Sequence, residues 1–202
     1  MRWVIFLRAV NVGGTNRCRP ALIAKQLARL NLVNIGAVGT FVAGGNVSES
    51  ALRSAIARKL PFQCEIMICP ARDIVKLASE NPFSGQPSGP EITRFVSVLA
   101  KPLRRGSHGL DQTSKIKSAE GRIRCGEPQA LQAPPLPLSL PSEDDWLVKV
   151  IAIQGRFVLG MYRRQMKAIS YLGQIEKRLG VPTTTRNWNT IAKVAKILQD
   201  NA

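Results

Sequence analysis

The sequence predicts an α+β protein whose first half is a split β-α-β unit of the ferredoxin-like kind. Two observations carry this. Short apolar runs of strand character alternate with stripes of helical period. Their order over residues 3–79 is strand, helix, strand, strand, helix, strand, with a further short helix at the end.

Residues 3–9, WVIFLRA, form a β-prone, nearly continuous apolar run, the pattern of a buried strand. N-V-G-G-T-N at 11–16 makes a turn. Pro20 suits the first turn of a helix, with Ile23, Leu27 and Leu30 as its stripe. The extended run I-G-A-V-G-T-F-V then reaches about Val42. A-G-G-N at 43–46 reads as a hairpin turn, since Gly and Asn accept positive φ cheaply, and Val47 begins the return strand. Ser48 or Ser50 caps a second helix that buries Leu52, Ile56 and Leu60. F-Q-C-E-I-M-I-C at 62–69 is the fourth strand, and 71–79 a short helix ended by N-P-F. The hairpin argues against a doubly wound parallel sheet.

The second half opens on a strand at 94–100, RFVSVLA. Residues 101–145 lack periodicity, and four of the chain's 13 prolines fall between 134 and 141. Neither helix nor central strand tolerates that, so an extended, mobile loop is expected near 128–141. W-L-V-K-V-I-A-I and R-F-V-L-G-M-Y pair as a hairpin through Gln154-Gly155. A helix at 168–179 stops at Gly180, with Pro182 just beyond. T-T-T-R-N-W-N-T at 183–190 then leads into a last helix. Ile191, Val194, Ala195 and Leu198 form its stripe, which Trp188 extends, and Asn187 suits its N-cap.

The 202 residues carry a net charge of +16. Residues 1–80 hold 11 basic and 4 acidic side chains, residues 81–145 hold 8 and 7, and residues 146–202 hold 10 and 2. The excess sits on the patterned halves, which suits folded basic surfaces facing an anionic partner. The apolar start is too short for a secretory h-region, and no ~20-residue apolar span exists, so a cytoplasmic location without a membrane is expected. The four cysteines include no CxxC pair, and His108 is the single histidine. This excludes a recognisable zinc site and weakens a Ser-His-Asp or Cys-His mechanism, in which His108 would have to serve alone. Reduced structural thiols are the expectation. Neither G-x-x-x-x-G-K-[ST] nor G-x-G-x-x-G is present, so no cofactor is implied.

Three stretches together resemble a known family: F-L-R-A-V-N-V-G-G-T-N-R at 6–17, T-F-V-A-G-G-N-V at 40–47 and T-T-R-N-W-N-T at 184–190. They are similar to the bacterial family catalogued as domain of unknown function 1697. The resemblance implies two tandem ferredoxin-like (α-β plait) subdomains, at residues 1–83 and 84–202, and implies no activity. Ala9 stands where that family usually has Gly, and Gly44 where it has Ser.

Candidate ligand-binding residues follow from position and chemistry. Arg8, Asn11, Gly13, Gly14, Asn16 and Arg17 surround a strand-to-helix turn, where backbone N–H groups either cradle a phosphate or only turn the chain. Gly45 and Asn46 lie in the second Gly-rich turn, at the other end of a split β-α-β sheet. Arg163, Arg164 and Lys167 stand beside Tyr162, as a phosphate-contacting face or a solvated one. Arg186, Asn187 and Asn189 belong to the C-terminal motif. Arg186, placed at a helix start where a cation is unfavourable, should meet a negative group. Glu143-Asp144-Asp145 reads as a solvated linker or a charge gatekeeper more than as a catalytic carboxylate pair.

These features suit a non-catalytic binding protein contacting nucleic-acid phosphates. The alternatives are an enzyme or sensor for a small phosphorylated ligand, with Arg8, Asn11, Arg186 and Asn187 converging on one pocket, or a scaffold without ligand. No catalytic residue, metal ligand or oligomeric state is readable.

Overall fold

The structure is a computed structural model that describes residues 2–12, 14, 16–103 and 136–200. Gly13, Cys125, His108 and the 128–135 part of the Pro-rich stretch lie outside the described residues. The first half runs β1 (Trp3–Leu7), α1 (Pro20–Gln26), β2 (Leu32–Asn34), β3 (Thr40–Ala43), α2 (Glu49–Ala57), β4 (Ile66–Pro70) and α3 (Ala71–Ser79). The second runs β5 (Ile92–Leu99), β6 (Leu138–Leu140), β7 (Val148–Gln154), β8 (Phe157–Arg163), α4 (Met166–Leu179), β9 (Thr183–Asn187) and α5 (Trp188–Asp200). The fold is α+β, with two antiparallel sheets and five α-helices among the described residues.

The first sheet has the order β2-β3-β1-β4, and the second β6-β7-β8-β5-β9. Leaving out β6, the second repeats the spatial order of the first. Alternation along each strand divides the core. Trp3, Ile5 and Leu7 face Ile23 of α1, Leu27 just after it, and Leu52 and Ile56 of α2. Val4 and Phe6 face the opposite way, into a central core shared with Val96, Val98, Leu159 and Met161 of the second sheet. Ile74 and Leu77 of α3 and Ile191, Val194 and Leu198 of α5 complete that core. The outer face of the second sheet, with Phe95, Val150 and Val158, is covered by Ala168, Ile175 and Leu179 of α4. Each sheet is therefore buried on both faces.

Several sequence expectations need correction. The hairpin joins β2 to β3 through residues 35–39, and A-G-G-N does not turn into a strand at Val47. Gly36 (φ 79°) and Gly39 (φ 73°) supply the positive φ values instead. A side chain on Gly39 would also meet Leu7, 2.8 Å from its Cβ. After Asn46 the chain enters α2, whose N-cap is Ser48, with Ser48 Oγ accepting from Ala51 N at 3.2 Å. β4 begins only at Ile66, four residues later than expected. Part of the Pro-rich stretch is strand: Leu138–Leu140, between Pro137 and Pro141, forms the edge strand β6. An edge position tolerates flanking prolines because one side of the strand needs no partners. Finally, Thr183–Asn187 is a strand and not a helix approach.

Candidate functional site

Three predicted residues gather where β1 ends, and each is bound to the protein itself. Arg186 is 6% exposed on β9. Its Nε donates to Thr40 Oγ1 (2.8 Å), its Nη1 to Thr184 Oγ1 (2.8 Å) and Thr185 O (2.9 Å), and its Nη2 to Leu7 O and Val38 O (both 2.8 Å). Those bonds use all five donors of a guanidinium. Its charge also lies 5.8 Å from the Phe6 ring centroid. The negative group expected of Arg186 is thus a ring of neutral oxygens, drawn from both sheets. Desolvation lowers its pKa to about 10, which still leaves it charged at neutral pH. Arg8 pairs with Glu176 of α4 at 2.6 Å, while Glu176 Oε2 accepts from Thr183 N and Oγ1. Asn11 Nδ2 donates to Cys18 O and Ala37 O, and its Oδ1 accepts from Cys18 N. These residues join the halves and close the 11–18 loop. They do not converge with Asn187 on a pocket.

Asn187 turns the other way, as the residue after Arg186 in a strand must. It enters a cleft of about 180 Å³ lined by Ser88, Gly89, Ile92, Thr93, Arg94, Arg164, Asn187, Trp188 and Asn189. Three adjacent strands reach it at one end of the second sheet: β8 ends at Arg163, β5 begins at Ile92, and β9 ends at Asn187. The antiparallel register, with Ile92 opposite Arg163 and Phe95 opposite Asn187, brings those ends together. α5 also begins there, so its first N–H groups and its positive dipole end stand at the cleft.

The side chains are held in place. Arg164 Nε donates to Thr93 Oγ1 at 3.0 Å, and Arg164 N to Glu91 O at 2.7 Å. Arg94 stacks over the Phe83 ring at 5.6 Å and reaches Gln86 O at 3.4 Å. Phe83, 2% exposed, also packs edge-on against Trp188 with centroids 5.1 Å apart. Among the described residues, the Asn187 and Asn189 side chains and the terminal nitrogens of Arg164 have no hydrogen-bond partner. Among the described residues, no carboxylate is in the lining. The Glu91 carboxylate occupies the space beside Gly89, a residue of the lining. The cleft is rich in donors and positive charge, which suits an acceptor-rich anion.

Of the predicted residues, Arg164, Asn187 and Asn189 come together here. Arg163 instead lies over the Trp146 ring at 4.9 Å, and Lys167 is exposed on α4. Gly14 (φ 79°) and Asn16 (φ 50°) shape the 11–18 loop, and Arg17 is exposed beside them. Gly45 (φ 93°) and Asn46 lie at the opposite end of the first sheet, since Ala43 pairs with Trp3 while Asn11 follows Leu7. Sequence reasoning missed Thr93 and Arg94. They open an apolar strand, and only the pairing of β5 with β8 and β9 reveals what they face.

The family described as "Protein of unknown function (DUF1697)" matches residues 1–129. The chain belongs to this family. Curated proteins give no match. A solved structure, that of the conserved bacterial protein SP0830 from Streptococcus pneumoniae, is similar at 15% identity, with 98% of each chain covered and a TM-score of 0.53. At that identity the likeness is one of fold. N-W-N of the C-terminal motif lies outside the matched stretch and supplies three residues of the cleft.

Proposed function

We propose that this protein binds a phosphate-bearing ligand in the cleft at the head of α5, without catalysing a reaction on it. One observation carries the proposal: Arg94, Arg164, Asn187 and Asn189 line one cavity that, among the described residues, has no carboxylate in its lining. We also infer that residues 1–83 and 84–202 are tandem ferredoxin-like plaits. The repeated strand order supports this.

A nucleic-acid reading draws on the 10 basic and 2 acidic residues of 146–202. The fold removes its usual plait surface, because the sheet faces opposite the helices are buried in the shared core. A compact phosphate ligand is therefore the favoured reading.

The test is a thermal-shift series in phosphate and pyrophosphate against chloride at matched ionic strength. A ligand at 100 times its Kd adds about 2.7 kcal/mol of stability. In a domain of this size that raises Tm by roughly 5–10 °C. The shift should vanish in the double variant Arg94→Gln/Arg164→Gln. An equal shift in that variant would remove the cleft from the proposal.

A further inference from the structure

Resting on that phosphate-binding reading, we infer that the cleft selects a terminal phosphoryl group, the dianionic monoester of a small molecule, over the internal phosphodiester of a nucleic-acid strand. Size is the first ground. About 180 Å³ falls short of the ~300–1,000 Å³ of sites that enclose whole small ligands. The cleft holds a head group and the first atoms attached to it. An internal diester would bring a sugar on each side into the same space.

Hydrogen-bond capacity is the second ground. Arg164 keeps its four terminal N–H donors after its Nε is used by Thr93, and Asn187 and Asn189 each add two amide donors. A monoester presents three terminal oxygens to such a set, and a diester only two. The two cations of the lining, Arg94 and Arg164, likewise match two negative charges better than one.

Glu91 is the third ground. Its carboxylate, beside Gly89, would face any polyanion that ran on past the cleft. A single phosphoryl group seated in the cleft has no further charge to place there. The charged side chains facing the bound group are therefore Arg94 at the start of β5, Arg164 just after β8 and Glu91 beside Gly89.

Isothermal titration with phenyl phosphate and with methyl phenyl phosphate tests this on the full chain. The monoester should bind at least about tenfold more tightly at pH 7.5, since one charge-assisted hydrogen bond is worth that much. Its affinity should fall severalfold at pH 5, because the second phosphate ionisation lies near ~6. The diester has no such ionisation and should show no comparable fall. Asn187→Asp, an exposed change that leaves packing alone, should abolish monoester binding while Tm without ligand does not fall. Equal affinity for monoester and diester, with no loss at pH 5, overturns the selectivity and leaves phosphate binding standing. Binding of neither phenyl ligand nor inorganic phosphate overturns the phosphate reading itself. An oligonucleotide with a 5′ hydroxyl that binds as tightly as its 5′-phosphorylated form, and more tightly than phenyl phosphate, also overturns the selectivity.

Discussion

Replacing Arg186 by Met should unfold this protein more easily, by an amount that its surroundings fix. The guanidinium makes five hydrogen bonds from a 6% exposed position. At about 1.5 kcal/mol for each charge-assisted bond, these amount to roughly 7 kcal/mol. Burial opposes them: it lowers the pKa from 12.5 to about 10, a shift equivalent to about 3 kcal/mol. About 4 kcal/mol remains, close to the ~3–5 kcal/mol seen when a buried charge network is broken. Met fills similar volume but leaves Val38 O without its Nη2–H donor and Thr185 O without its Nη1–H donor. Arg186→Lys should recover part of the loss, since an ammonium offers three donors as a point charge. Urea unfolding followed by circular dichroism measures both variants. The depressed pKa also sets a sign: its unfavourable contribution is complete below pH 10 and relaxes only above it, so the variant's deficit should be constant from pH 6 to 9. A Met variant as stable as the parent would refute the claim that this side chain clamps the two sheets together.

Ala9→Gly should stabilise the fold by about 1 kcal/mol, because Ala9 sits at φ 53°, where a Cβ is strained, and denaturant midpoints will show it. Gly160→Ala should destabilise by about 2–3 kcal/mol in the same assay, since a Cβ there would lie 2.5 Å from Lys149 O and from Phe95 Cζ. Ser48→Ala removes the N-cap of α2 and should cost about 1 kcal/mol. Cys69 is fully buried with its thiol pushed up to about 11, so iodoacetamide at pH 8 should label it only after unfolding, as peptide mass spectrometry would report.

Local pattern made much of the fold legible. β1, α3 and α4 were visible as an apolar run, a short helix ended by N-P-F and a helix stopped by Gly180, which adopts φ 59°. The first hairpin was misplaced because two Gly-containing stretches, 36–39 and 44–45, both offer positive φ. The choice between them rests on Ser48 capping α2 and on Gly39 passing close to Leu7, the second of which is a long-range contact. Arg186 was misread for a related reason. Beside a helix it looks like an unfavourable cation, yet β9 pairs with β5 and carries it into oxygens 146 to 179 residues away in sequence. The candidate site was half visible. Arg164, Asn187 and Asn189 stand out as polar residues at element ends, whereas Arg94 is one cation at the start of an apolar strand. Only sheet register brings it to the same end of the sheet as the other three.

The central claim is that one cleft, and not the 11–17 loop or a diffuse basic face, receives the phosphate group. Titrating inorganic phosphate into ¹⁵N-labelled protein tests this most directly, by following the side-chain amides of Asn187 and Asn189 and the Nε–H signals of Arg94 and Arg164. Saturable shifts confined to these groups and the first backbone amides of α5 are the predicted result. Saturable shifts centred on Asn11–Arg17, or small unsaturable shifts spread over the basic surface, would contradict it.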